Sequence, residues 1–264
     1  MRQALYRWYA RRLQRRLPAD RLPRHVAVVM DGNRRWARRA GLDSVSAGHQ
    51  QGAEHLARVL EWCADLGITQ VTAFVCSADN LRKRDDGEVG FLMRLAEQGV
   101  EQRLARPDNR WRLHLAGQLD ILPDSTARAL KAAAAATQDR AGYDLTLAIG
   151  YDGRTEIADA VRGLLDDAAR AGETVESLAA SLDPERIAAH LYTGGLPDPD
   201  LVIRTSGEQR LGGFLLWQTA HSELYFCDVY WPGFRRVDFL RALRSYAARQ
   251  ARFADPAPPA QPVR

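Results

Sequence analysis

His25-Val-Ala-Val-Val-Met-Asp-Gly-Asn-Arg-Arg-Trp36 begins apolar and ends in polar chemistry. Val26 to Met30 form an unbroken apolar run, the pattern of a parallel strand buried on both faces. The run stops at an acid, a glycine and an amide, so the strand hands over to a loop that carries functional groups. Gly32 permits a tight turn, and Asn33 can start a helix. The free amides of that helix start, with Arg34 and Arg35 beside them, form a cradle for a diphosphate. Asp31 inside such a cradle is repelled by phosphate unless a divalent cation lies between them. Two readings follow: a magnesium-diphosphate site, or an ordinary Asp-Gly-Asn turn with solvated arginines.

Outward from this stretch the chain alternates between helical and strand patterns. Residues 48–66 have the apolar spacing of an amphipathic helix closed by Gly67, and residues 68–76 read as a strand that again ends in polar groups, Ser77-Ala-Asp-Asn80. After a charged loop over 81–87, a helix is expected over 88–106, a strand over 110–116, a helix over 124–139 and a strand over 145–149. Gly150-Tyr-Asp-Gly153 then leads into a helix to about 171. A short helix from Asp183 to Tyr192, strands over 201–203 and 223–229, and a helix over 236–252 complete the pattern. It is that of an α/β domain with an open parallel sheet, whose ligands bind beyond the carboxyl ends of the strands.

The 264 residues, 46% hydrophobic, contain no apolar run near the length needed to cross a membrane, which predicts one large soluble domain. Cys63, Cys76 and Cys227 are odd in number and far apart, with no Cys-x-x-Cys pair and no signal peptide pattern, and so point to a reducing cytoplasm. The histidines have no zinc-binding spacing. The net charge of +4 conceals an asymmetry: residues 1–24 hold eight arginines and one acid, a local excess of seven, so the rest of the chain is acidic by three. A nucleic-acid module would spread its basic residues over the domain, and none is expected here. Leu5, Trp8, Tyr9, Leu13 and Leu17 interleave with those arginines at helical spacing. This basic amphipathic leader over 1–24 either contacts anionic lipid through residues 1–17 or packs on its own domain. The proline-rich stretch over 253–264 reads as a disordered tail, leaving a main domain over 25–252.

A second motif, Asp200-Leu-Val-Ile-Arg-Thr-Ser-Gly-Glu-Gln-Arg210, brings Arg204 to the end of a strand and Arg210 six residues later around a glycine turn. Two guanidiniums with hydroxyl donors suit a second diphosphate. The alternative is that Arg204 and Arg210 pair with Glu208 or Asp200 at the surface. One diphosphate site suggests binding; two suggest transfer between diphosphates.

With Gly48-His49, Ser77-Ala-Asp-Asn80, Phe214-Leu-Leu-Trp-Gln218 and Glu223-Leu-Tyr-Phe226, these motifs resemble, in order over residues 22–246, the signatures of the cis-prenyltransferases, the undecaprenyl diphosphate synthase family. Asn33-Arg-Arg-Trp-Ala-Arg-Arg-Ala-Gly41, Asn80-Leu81 and Leu191-Tyr-Thr-Gly-Gly-Leu-Pro-Asp-Pro-Asp200 look most like the short-chain members that make Z,E-farnesyl diphosphate. The resemblance implies a single α/β domain with a parallel-rich six-stranded sheet flanked by helices, an apolar tunnel, a homodimer and dependence on Mg2+. It implies cis-condensation of isopentenyl diphosphate onto an allylic diphosphate, geranyl or farnesyl. Asp31 matches the magnesium ligand required for turnover, and Glu223 a glutamate that helps hold the metal. The backbone amides of Gly32 to Arg35, through Asn33 and Arg34, and the Arg35 side chain match the grip on the primer's diphosphate, and Trp36 matches a border of the substrate channel; His49, Asn80 and Ser77 match groups beside the reacting diphosphates; Arg204 and Arg210 match the isopentenyl diphosphate site.

Several positions depart from the family pattern. Arg34 stands where glycine is usual, although short-chain members share the arginine. Val45 replaces an arginine that binds the primer, a role open to Arg34, Arg38 or Arg39. Gly212 replaces a serine of the isopentenyl diphosphate site, Leu81 replaces a tryptophan, and the next family arginine is ambiguous among Arg82, Lys83 and Arg84. Val75, on the expected tunnel floor with Phe74 and Cys76 beside it, is larger than the alanine of long-chain members. It implies a C15 product from a C10 primer over decaprenyl or undecaprenyl chains. A non-catalytic partner subunit of the same fold would lack Asp31, Arg204 and Arg210.

Overall fold

A computed structural model describes residues 2–254, and at its centre lies the apolar run: β1 (His25–Val29) is buried at all five positions. The cause is topological. Before β1 comes α1 (Arg2–Gln14), and after it α2 (Asn33–Arg39), α3 (Val45–Asp65), β2 (Gln70–Ser77), α4 (Ala78–Lys83), α5 (Asp86–Gly99), β3 (Arg112–Ala116), α6 (Asp124–Thr137) and β4 (Asp144–Tyr151). The chain continues through α7 (Gly153–Arg170), α8 (Val175–Ser181), α9 (Pro184–Ala188), β5 (Leu201–Arg204), β6 (Glu223–Phe226) and α10 (Arg236–Ala254). The six strands form one sheet in the order β3-β4-β2-β1-β5-β6, every pair parallel. β1 therefore has a neighbour on both edges, and its backbone is satisfied within the sheet.

The register sets what meets at the carboxyl edge. Val29 lies opposite Phe74 of β2 on one side and Arg204 of β5 on the other. Alternate side chains divide between two cores. Val26, Val28, Val71 and Ala73 join the larger one, which includes residues of α3, α5, α6 and α10, while Ala27, Val29 and Val202 pack with Phe214 and Tyr151. The sheet is more uniformly parallel than the parallel-rich one expected.

Most elements fall where the periodicity places them, and the differences have local causes. The first residues of the loop expected over 81–87 are helical: Ser77 Oγ accepts the Asn80 N–H at 3.0 Å and caps α4, which runs to Lys83. α5 gives way after Gly99 to a wider turn over Val100–Leu104, closed by the Ala105 N–H on the Val100 carbonyl at 2.8 Å. β6 stops at Phe226, and the Ser206 and Gly207 amides from the loop after β5 bond the Val229 and Cys227 carbonyls just beyond it. The leader packs on its own domain: Ala10 and Leu13 are buried in the main core, and the Val237 N–H donates to Tyr6 Oη at 3.0 Å. Of the tail expected over 253–264, the first two residues belong to α10 and the rest lies outside the described residues.

One core residue is chemically out of place. His55 on α3 is 2% exposed among Trp62, Trp231 and Phe234, and neither ring nitrogen has a hydrogen-bond partner. Burial, reinforced by the Arg58 charge, lowers its pKa from 6.5 to about 4. The unfolded chain thus takes up a proton that the folded chain refuses, so this contribution is fully present above about pH 6.5 and is lost as pH falls toward 4. Between pH 7 and pH 5 the wild type should lose about 2 kcal/mol more unfolding free energy than a His55→Phe variant. Urea unfolding at the two pH values measures this, and equal losses would remove the explanation.

Candidate functional site

The carboxyl edge of the sheet gathers the polar ends of β1, β2 and β5. Asp31, two residues past β1, receives Nε and Nη2 of Arg204 on its Oδ2 at 3.0 and 2.6 Å. Arg204 is buried, with its Nη1 donating to the Arg210 carbonyl, whereas the Asp31 side chain is 37% exposed and its Oδ1 has no hydrogen-bond partner among the described residues. The two motifs, far apart in sequence, form one continuous edge. Arg204 therefore pairs with neither Glu208 nor Asp200. Asp200 instead accepts the Arg24 and His25 N–H groups at 2.7 and 2.9 Å, at the opposite end of the strands.

Local backbone geometry holds this edge. Gly32 precedes α2 with φ 100°, and a Cβ there would lie 2.7 Å from Tyr230 Cδ1, so the turn admits no side chain. Gly212, at φ 65°, packs its Cα on Arg204, where a Cβ would lie 3.0 Å from Nη1. A side chain at this position would crowd the Arg204 guanidinium. Arg35 donates to Ser206 Oγ at 2.8 Å, lies over the Tyr230 ring and stands 3.6 Å from Glu208; Arg210, largely exposed, stands 3.5 Å from the same carboxylate. Pairing of Arg210 with Glu208 is the surface alternative read from the sequence.

A second cluster lies across the edge on α3 and α5. Glu88, 5% exposed, accepts His49 Nε2 at 3.0 Å, with Arg84 Nη1 at 3.4 Å and Arg34 Nε at 3.7 Å. A carboxylate flanked by two arginines is an acceptor, so His49 carries its proton on Nε2 and keeps Nδ1 as an acceptor. Burial lowers the His49 pKa and outweighs the Glu88 hydrogen bond that raises it. Glu88 escaped the sequence reading because Asp85 caps its N–H at 3.1 Å, and an acid three residues after a cap signals a helix start before it signals a site. Of the basic residues after Asn80, Lys83 pairs with Asp79 at the surface, and Arg84 turns inward to Glu88.

Between α3, α5 and the sheet runs a cavity of about 640 Å³. At the carboxyl edge it is lined by Asp31, Asn33, His49, Ser77, Asn80 and Arg84, and further in by Leu56, Leu60, Val75, Leu92, Leu147 and Ile149. One face of α3 lines it from His49 to Asp65, about 24 Å at the helical rise. It ends among Glu61, Asp65, Arg103, Arg106 and Arg110, all exposed, so both ends are polar and open.

Not every expected residue converges here. Gly32, Arg34, Arg35, Arg204, Arg210 and Gly212 adjoin the edge without lining the cavity, and Trp36 faces the turn at Gly233 instead of the channel. Val75 is a wall residue near the carboxyl end, not a floor, because the cavity continues past it. Glu223 opens β6 opposite Leu201, three register steps or roughly 10 Å from Arg204 and Phe226, and pairs with Arg249. Within one chain it cannot share a cation with Asp31. Among the described residues no three His, Cys, Asp or Glu side chains form a metal-holding group.

Comparison with known proteins agrees with the geometry. The family model described as putative undecaprenyl diphosphate synthase matches residues 29–254. An isoprenyl transferase of Streptomyces fradiae is 60% identical over 94% of this chain and 96% of that protein, and a (2Z,6E)-farnesyl diphosphate synthase of Thermobifida fusca is 53% identical over 94% and 96%. A crystal structure of lavandulyl diphosphate synthase from Lavandula x intermedia with dimethylallyl diphosphate superposes with a TM-score of 0.79 at 32% identity, covering 86% of this chain and 96% of that one.

Glu88→Gln keeps the side-chain shape but removes the charge that favours protonated His49. The His49 ring should titrate below 6.5 in the wild type and lower still in the variant, followed by NMR of the ring protons. A wild-type midpoint at or above 6.5 contradicts the arrangement.

Proposed function

The chain belongs to the undecaprenyl diphosphate synthase family and is a cis-prenyltransferase, and from that premise we propose that it joins isopentenyl diphosphate to geranyl diphosphate to give a C15 Z-isoprenyl diphosphate and pyrophosphate. The observation that carries this reading is the placement of Asp31, His49, Asn80 and Arg84 at one mouth of a cavity whose middle is apolar. A diphosphate head has polar partners there, and its hydrocarbon tail has an apolar wall.

Mg2+ fits this edge. Asp31 keeps one carboxylate oxygen free, and magnesium is commonly held by one or two carboxylates together with substrate phosphates. Asp31 is the proposed ligand; Glu223 is outside a single chain's metal set. When bound, the cation neutralises charge developing on the departing pyrophosphate. The chain's own groups do the rest. Arg35, with Asn33 and the first amides of α2, grips the allylic diphosphate, and Arg34 and Arg84, anchored by Glu88, supply the positive charge that Val45 does not. Arg204 and Arg210 hold isopentenyl diphosphate, Arg210 exchanging Glu208 for phosphate. His49 Nδ1 is an acceptor for a proton, and Ser77 and Asn80 offer donors to the leaving group.

A homodimer in the cytoplasm completes the proposal. The family resemblance supports the first, and the free, dispersed thiols Cys63, Cys76 and Cys227 support the second. No helix among the described residues is long and apolar enough to cross a membrane. A second reading, a long-chain product, is favoured by the extension of the cavity beyond Val75.

Arg210 is exposed and makes no contact with Asp31, so its loss isolates one substrate. Arg210→Ala should raise the KM for isopentenyl diphosphate by the equivalent of about 1.5–3 kcal/mol, the range for a charge-assisted bond, and leave that of the primer nearly unchanged. An unchanged KM for isopentenyl diphosphate refutes the site. Chromatography of dephosphorylated products should show C15 for the wild type and longer chains for Val75→Ala, because a branched wall residue obstructs more than a methyl group. A wild-type product of C50 or longer selects the second reading.

A further inference from the structure

α1 is fixed to the domain by one face and leaves an unusual one outward. Ala10 and Leu13 are buried, and the guanidiniums of Arg235 and Arg241 lie over the Tyr6 and Tyr9 rings at 5.4 and 5.9 Å. The opposite face carries Leu5 at 65% and Trp8 at 55% exposure, three residues apart on one helical stripe. Exposed Arg7, Arg11, Arg12, Arg15 and Arg16 surround them, Arg12 over the Trp8 ring at 5.4 Å, and α1 contains no acidic residue. α10 adds exposed Arg244, Arg249 and Arg252 to the same pair of helices.

The C-terminal end of α1 lies next to the far end of the cavity. Arg236 donates to Asp65, which lines that end, at 3.0 Å, and to Gln14 at the end of α1 at 3.3 Å. We propose that the outward face of α1 is a docking surface for an anionic lipid bilayer, seated so that the second mouth of the cavity opens beside the membrane. Charge complementarity selects the occupant. Arginines around an exposed tryptophan and leucine match a surface with anionic headgroups above hydrocarbon, whereas a nucleic acid has no use for the exposed leucine. The anchoring contacts to α10 keep the helix on the protein as it meets the bilayer, so docking orients the whole domain. The docking itself does not rest on the proposed prenyl transfer.

Co-sedimentation without substrate separates the two. The full chain should bind vesicles of equal phosphatidylglycerol and phosphatidylcholine in ~0.1 M salt, where charge attraction is screened only beyond about 10 Å, and bind pure phosphatidylcholine at least tenfold more weakly. Arg11→Glu with Arg15→Glu should lower binding to the anionic vesicles at least tenfold, and Leu5→Ser with Trp8→Ser should lower it independently. Arg128→Glu with Lys131→Glu, on α6, should leave it unchanged. Circular dichroism establishes that each variant is folded, and a blue shift of tryptophan fluorescence on binding that Trp8→Phe abolishes places the residue in the interface. Equal binding to neutral and anionic vesicles, no loss on charge reversal at Arg11 and Arg15, an equal loss from the α6 pair, or tighter binding to an oligonucleotide than to vesicles overturns the proposal.

Discussion

The parallel pairing of β1 with β5 sets Val29 opposite Arg204, and two residues later Asp31 closes on the Arg204 guanidinium. Strand order makes this position singular. β2 and β5 lie on opposite sides of β1, so the chain connections diverge there and leave a crevice beyond the carboxyl ends. Neither charge is free: Arg204 is buried and needs a partner, while Asp31 keeps one oxygen toward solvent. The pair is thus stable without ligand, yet open to a cation on one side and an anion on the other.

The same logic recurs around the edge. Glu88 holds His49, Arg34 and Arg84, and Glu208 stands between Arg35 and Arg210. Cations gathered without anions repel one another, and each carboxylate offsets that repulsion while keeping the guanidiniums oriented. The two acids differ in burial. Glu88, enclosed, suits a permanent scaffold that also fixes the tautomer of His49; Glu208, at the rim, suits a partner that a diphosphate displaces. Donors already aimed at the site need little reorganisation when charge develops on a leaving group.

The cavity joins this charged edge to an apolar interior and then to a second polar rim at Asp65 and Arg106. α3 runs its length, and so carries polar residues at both ends and apolar ones between. A prenyl diphosphate has the same order of polarity from head to tail as the cavity has from its carboxyl mouth to its middle. Arg236 links that rim to Gln14 at the end of the basic α1.

Local physics made much of this legible from the residues alone. An apolar run closed by Asp31-Gly-Asn33, the repeated alternation of periodicities and Arg204 at a strand end are local features, and they determined a parallel α/β sheet with polar and charged groups at its carboxyl edge. Relations across the chain were another matter. Strand order decided that Asp31 pairs with Arg204 and that Glu223, at the start of a parallel neighbour, stands at the wrong end to join it. Packing decided that Glu88 is a buried anchor and not only a helix-start acid, that Arg84 turns inward while Lys83 does not, that Val75 is wall and not floor, and that the basic leader lies on α10. Periodicity records which face of an element is buried; which partner it is buried against depends on residues more than a hundred positions away, and only tertiary structure brings those together.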